Sequence, residues 1–150
     1  MTDIIKKLQN QITEMQKQLD ELKSQTGGWT PDVCGDYCFL DADGDISDFI
    51  WEDGLTEKKW LSQGNIFKTL AEAEKEKGRR AVIKKLRDLS GGHQFKVGED
   101  NWRLQYDHKD DIWQKVIVYY CQGLNDVYFP TMEAAQHAID VLGDELNKLL

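Results

Sequence analysis

Asp41, Asp43, Asp45 and Glu52 place carboxylates at the first, third, fifth and twelfth positions of the stretch DADGDISDFIWE, residues 41–52. At those positions an EF-hand loop gathers oxygen ligands around calcium, with a bidentate glutamate in the last place. The same loop needs glycine at its sixth position, where the backbone turns sharply. Here Gly44 stands fourth and Ile46 sixth. The flanks disagree as well. Tyr37, Phe39 and Leu40 precede the stretch and Phe49, Ile50 and Trp51 end it, residues that favour strands rather than the helices of an EF-hand. Asp43-Gly44 reads instead as a two-residue hairpin turn, because glycine takes up positive φ without steric cost. No metal site is expected.

The acids also act together. From Asp32 to Glu57 there are nine acidic residues and no basic one. Such a run is either a solvated face or a site for a basic partner, such as the nucleic-acid groove of another protein, where carboxylates would stand in for phosphates. The candidate partner-binding residues are Asp41, Asp43, Asp45, Asp48, Glu52 and Asp53. Tyr37, Trp51 and Trp60 nearby are either anchors for that partner or core side chains. The sign then reverses. From Lys75 to Arg87 seven basic residues stand against Glu76 alone. Arg79, Arg80, Lys84 and Lys85 are candidates for contact with nucleic acid, or for pairing with acids of a neighbouring subunit.

Other chemistry lacks a framework. His93, His108 and His137 lie far apart, and Gly91-Gly92 is not followed by the Lys-Ser/Thr of a phosphate loop. There is no nucleophile elbow and no His-Glu-x-x-His zinc helix. Cys34, Cys38 and Cys121 form no Cys-x-x-Cys pair and read as reduced thiols. The formal charge of −8 disfavours a general binder of nucleic acid or lipid surfaces. No segment approaches the roughly 20 apolar residues of a membrane span. The expectation is a cytoplasmic, non-enzymatic protein without a cofactor.

Two kinds of element must carry these residues. Ile5, Leu8, Ile12, Met15, Leu19 and Leu22 repeat at spacings of 3, 4, 3, 4 and 3. This is the a/d seam of a coiled coil, and it defines an oligomerisation helix over residues 1–26. Isoleucine at two a positions with leucine at two d positions favours a parallel dimer, while Met15 and Leu19 leave a trimer open. Thr26-Gly27-Gly28 ends the helix and provides a hinge. Residues 29–150 read as an α+β domain with antiparallel strands, written as two similar halves, 29–90 and 93–150. Each half runs strand, turn, strand, short aromatic strand, then helix. Phe67-Lys68-Thr69-Leu70 in the first half matches Phe129-Pro130-Thr131-Met132 in the second. Thr69 and Thr131 are the expected helix caps. The first helix runs on to Leu89 with a weak point at Gly78, the second carries Leu142 and Leu146, and one joint core is expected.

The phrase GNIFKTLAEAEKEK, carried by Gly64, Asn65, Phe67, Lys68, Thr69, Glu72, Ala73 and Glu74, resembles a recurrent phrase of small phage and prophage proteins of Gram-positive bacteria. Tyr37, Asp43, Gly44 and Trp51 upstream match the tyrosine-rich strand, Asp-Gly turn and tryptophan that precede it there. VYFPTMEAAQHAI is similar to the phrase that closes such chains, and an N-terminal coiled coil is common among them. Leu70-Ala71 departs from the family, where acidic residues are usual. The resemblance implies a phage accessory protein, and small acidic ones frequently counter host defences, as anti-CRISPR proteins do. The functional expectation is a phage-encoded inhibitor that sets an acidic surface against a basic host protein, a nucleic-acid-binding nuclease being the example. The alternatives are a phage scaffolding oligomer and a nucleic-acid-binding regulator acting through the basic helix.

Overall fold

In the computed structural model the chain is α+β, and its elements run α1 (Thr2–Gln25), β1 (Asp36–Leu40), β2 (Ile46–Ile50), α2 (Leu55–Ser62), β3 (Ile66–Phe67), α3 (Leu70–Leu89), β4 (Asn101–Asp107), β5 (Ile112–Val118) and α4 (Met132–Leu142), closed by a 3-10 helix over Gly143–Leu149. The structure describes residues 2–25 and 28–150, and the side chains of 4–22 and 28–150. The hinge expected at 26–28 therefore lies, at residues 26 and 27, outside the described residues. The chain divides into two units, Met1–Phe39 with Asp48–Lys68, and Leu40–Ser47 with Thr69–Leu150. Helix α3 belongs to the second of these units.

Along α1 the heptad residues Ile5, Leu8, Ile12, Met15, Leu19 and Leu22 are all exposed in the single chain, at 47% to 68%. The helix that the spacing predicts is present, and its apolar stripe faces solvent.

The first unit is built on a sheet with strand order β2-β1-β3. As the middle strand, β1 is paired along both edges; its Tyr37 and Cys38 are buried, as is Leu40 at its end, which falls in the second unit. The β1–β2 connection is a three-residue loop, Ala42-Asp43-Gly44, and not the two-residue turn that Asp43-Gly44 implied. The Asp41 N–H donates to the Asp45 carbonyl at 2.9 Å, and the Gly44 N–H donates to the Asp41 carbonyl at 3.2 Å. Gly44 has φ of +83°, the left-handed conformation that closes a three-residue hairpin with the strands still in register. Strand β3 pairs antiparallel with β1 at Cys38↔Phe67 and Phe39↔Ile66. Tyr37, Trp51 and Ile66 form the buried cluster of this unit, with Phe39, Trp60 and Leu61 packed on it.

The second unit holds a larger cluster of Val82, Leu86, Phe129, Ala135, Ala138, Leu142 and Leu146. Two clusters of buried side chains form, one in each unit, where the sequence pointed to one joint core. The reason is visible in α3, whose buried Val82 and Leu86 meet side chains of α4 and the 3-10 helix. Strands β4 and β5 pair antiparallel from Asn101↔Val118 to Asp107↔Ile112. Phe129 adds a bridge to Trp102, each backbone N–H donating to the other's carbonyl at 2.7 and 3.0 Å. Thr69 and Thr131 cap α3 and α4, their hydroxyls accepting from the N–H of Glu72 and Ala134. Helix α3 continues through Gly78, the expected weak point. Helix α4 stops at Leu142 instead of carrying Leu146. Gly143, at φ of +46°, breaks the α-helical path, and the following 3-10 helix brings Leu146 back into the core.

Asn101 is the buried polar group on which the β4 end of this unit relies. Its Oδ1 accepts from the Lys96 N–H at 2.8 Å, and its Nδ2 donates to the carbonyls of Lys96, Glu99 and Val118. Asn101→Ala leaves these backbone groups without their partner, so we expect a loss of about 2–3 kcal/mol in denaturant unfolding. A loss near zero would mean that the side chain is incidental to the loop before β4.

Candidate partner-binding surface

The six acidic candidates divide between a turn and a groove. Asp41, Asp43 and Asp45 gather in the β1–β2 turn. Asp41 is consumed by the turn itself, since its Oδ1 accepts from the N–H of both Asp43 and Asp45 at 2.9 Å. Its carboxylate stabilises the loop in the way short acidic side chains do when they bond to backbone just ahead of them. Asp43 and Asp45 project into solvent.

Asp48 and Glu52 line an open groove of about 670 Å³ in the first unit, together with Tyr37, Phe49, Leu55 and Trp60. Asp48 is exposed and accepts from the Cys38 thiol at 3.0 Å. Asp53 differs. It forms an ion pair with Lys58 at 3.0 Å, so its charge is partly met by a lysine just beyond the acidic run. Among the described residues this is the one ion pair that the six candidates make.

The groove has an aromatic wall, because Tyr37 and Phe49 stand opposite each other on neighbouring strands. Their ring centroids are 6.2 Å apart, and Phe39 stacks on Trp60 of α2 at 4.3 Å. Trp51, a candidate anchor, is 1% exposed and belongs to the core. Tyr37 is also buried, and Trp60 half-buried. The exposed apolar side chains are instead Phe49, Ile50 and Leu55, which sequence reasoning had used only as signs of strand structure or not at all. The available signal was the run Asp48-Phe49-Ile50.

Glu57 fixes the geometry of this region. Its Oε2 accepts from the N–H of Glu52 at 3.0 Å and of Gly54 at 2.9 Å, while its Oε1 accepts from the Tyr37 hydroxyl at 3.0 Å. Gly54 is the N-cap of α2 and has no side chain with which to cap it, so the glutamate three residues on supplies one arm of a capping box. Burial raises the Tyr37 phenol to about 12, and the Glu57 carboxylate beside it adds to that shift. For Glu57, burial works upward, but the hydrogen bonds from Gly54, Glu52 and Tyr37 outweigh it and hold the carboxyl below its usual range.

The basic candidates are all paired. Glu76 accepts from both Arg79 and Arg80, with nearest approaches of 2.7 Å, and these bonds, Arg79 foremost, lower its pKa. Lys84 pairs with Asp88 and Lys85 with Glu145, each at 2.6 Å. The pairing acids belong to this chain, on α3 itself and on the 3-10 helix. The three cysteines are free thiols, Cys38 buried and Cys34 and Cys121 exposed. No helix among the described residues is long and apolar enough to cross a membrane. No family model matches the chain, and no curated protein or solved structure matches it.

The lowered Glu57 pKa has a definite sign. Its stabilising contribution is complete above the ordinary value of 4.5 and is lost as the pH falls from there through the lowered value of the folded chain. Glu57→Gln should therefore lower the thermal midpoint at neutral pH and narrow its difference from the unaltered chain on acidification. Thermal scans across the acid range check this, and a difference that stays constant with pH would contradict it.

Proposed function

We propose that the chain is a non-enzymatic protein-binding module that engages a basic partner through its acidic residues. The observation that carries this reading is the set of exposed carboxylates at Asp43, Asp45, Asp48 and Glu52, which have no cationic partner among the described residues and lie within a stretch free of Lys and Arg. Exposed Phe49, Ile50 and Leu55 supply apolar area beside two of them. Charge of one sign raises the rate and selectivity of encounter, and adjacent apolar side chains provide the affinity that exposed charges alone do not. The regulator reading through α3 is the weaker one, because Arg79, Arg80, Lys84 and Lys85 must first give up a carboxylate in order to meet phosphate.

The resemblance to phage and prophage accessory proteins makes a host-defence protein the class of partner, in the manner of an anti-CRISPR protein acting in the bacterial cytoplasm. The exposed heptad stripe of α1 supports a second element of the proposal, self-association through Ile5, Leu8, Ile12, Met15, Leu19 and Leu22, with a parallel dimer favoured. A scaffolding oligomer uses the same stripe and is the alternative function.

The proposal also includes a duplicated origin for residues 29–150. Both passages place a hairpin before a short strand that pairs with the hairpin's first strand, at Phe39↔Ile66 and at Trp102↔Phe129, and then enter a threonine-capped helix. Both hairpin turns also open on an aspartate, Asp41 or Asp107, whose Oδ1 accepts from the N–H two residues ahead.

Two measurements test the proposal. Expression in cells armed with an active CRISPR nuclease and challenged by a targeted phage should restore plaque formation. The combined change Asp43→Lys, Asp45→Lys, Asp48→Lys and Glu52→Lys should abolish that effect, with Asp41 left intact because the turn needs it. Plaque counts that the chain does not alter would sink the host-defence reading. Light scattering of the full chain should give a dimer mass, and Ile12→Lys with Leu19→Lys should reduce it to a monomer; a monomeric unaltered chain would remove the coiled coil.

A further inference from the structure

We infer that the groove between β2 and α2 receives an arginine side chain from an extended segment of the basic partner, which adds to the sheet along the outer edge of β2. This rests on the protein-binding reading above and names the chemistry that it would recognise.

Three observations converge on it. The first is an open backbone edge. Strand β2 is terminal in the order β2-β1-β3. Its partners across the hairpin are fixed at both ends, where Asp41 donates to Asp45 and Trp51 donates to Gly35. Antiparallel pairing alternates, so the odd-numbered residues of β2 bond to β1, and the N–H and C=O groups of Asp48 and Ile50 point away from the sheet. Asp48, Phe49 and Ile50 are all exposed, which leaves this edge accessible to an added strand.

The second is the groove beside that edge. Its volume of about 670 Å³ is ample for one long side chain, and its wall holds Tyr37, Phe49 and Trp60. A guanidinium is planar and weakly hydrated, and it stacks on aromatic faces better than an ammonium does. The third is charge. Asp48, Glu52 and Glu57 line the groove, and among the described residues no Lys, Arg or His does. Glu57 is already committed to Tyr37 and two backbone N–H groups. Asp48 leaves the opposite face of β2 from Phe49 and accepts from the Cys38 thiol, so Glu52 is the carboxylate left for a cation in the groove. A neutral or acidic strand would satisfy the edge but leave the Glu52 carboxylate facing apolar or like-charged atoms.

The test uses the full chain and two nine-residue probes with blocked ends. One alternates arginine with valine; the other replaces each arginine by neutral citrulline. Calorimetric titration at low salt should show the arginine peptide binding at least about tenfold more tightly than the citrulline peptide. Phe49→Ala, and separately Glu52→Gln, should each weaken the arginine peptide by about tenfold, and amide exchange at residues 48 and 50 should slow on binding. Phe49 is exposed, and thermal scans of each variant establish that it is folded. Equal binding of the two peptides, groove variants that bind like the unaltered chain, or protection that avoids residues 48 and 50 would each overturn the inference. The two readings fail differently. If the complete partner is lost on reversing Asp43 and Asp45 but tolerates the groove variants, the groove assignment fails and the protein-binding reading stands. If the partner tolerates both sets, both fail.

Discussion

One carboxylate holds the first unit's sheet, loop and helix to one another. Glu57 takes a phenol from β1 and two backbone N–H groups from the loop that leads into α2. Without it, Gly54 would begin a helix with no side chain able to satisfy its first turn, and the Tyr37 hydroxyl would be buried with its partner removed. The groove between β2 and α2 keeps its shape because this helix is tethered to the sheet at its first turn. Asp53, at φ of +58°, and Trp51, fully buried, mark how tightly the chain bends just before it. A helix of eight residues with no fully buried side chain has little intrinsic stability, so its position comes from this bond at its first turn together with the packing of Trp60 and Leu61 at its other end.

The same helix explains where sequence reasoning stopped short. Strands β1, β2, β4 and β5 were legible, because runs of aromatic and β-branched residues are interrupted by Asp-rich turns. The two long helices were legible from Thr69 and Thr131, whose hydroxyls cap them as expected. Helix α2 was not. Its apolar positions are too few to set a period, and its signal is a single backward bond from Glu57 to Gly54. The end of α4 was misjudged for a related reason. Leu142 and Leu146 keep helical spacing, and only the backbone at Gly143 reveals that a 3-10 helix achieves that spacing by another path. The extra residue in the β1–β2 loop was hidden by Asp43-Gly44, a pair that serves two-residue and three-residue hairpins alike.

Charge counting located the acidic residues but could not rank them. In sequence all six candidates look equivalent. In the structure Asp41 is spent on its own turn, Asp53 on Lys58 and Asp48 in part on the Cys38 thiol, and the carboxylate of Glu52 remains beside an apolar groove. The basic helix illustrates the opposite error. Seven cations in thirteen residues read as a strong positive face, yet Glu76, Asp88 and Glu145 each take up part of it. Exposed pairs of this kind contribute little stability. Their effect is on the field, since each neutralises charge that a phosphate backbone would otherwise meet.

The free edge of β2 shows how one residue can both protect a surface and define its partner. Edge strands are a hazard because their unpaired backbone groups recruit other strands, and a charged side chain on the edge is a common defence. Asp48 sits on that edge next to Phe49 and Ile50, the pair that would otherwise make it adhesive. A second copy of β2 laid against the first would bring the acidic stretches together and place like charges across the new ladder, which is destabilising. A strand bearing arginine meets no such repulsion, and it gains from the same carboxylates. Asp48 and Glu52 thus discriminate by sign: they oppose pairing between identical edges and favour a basic one, and the apolar side chains beside them then add area only to the pairing that charge permits.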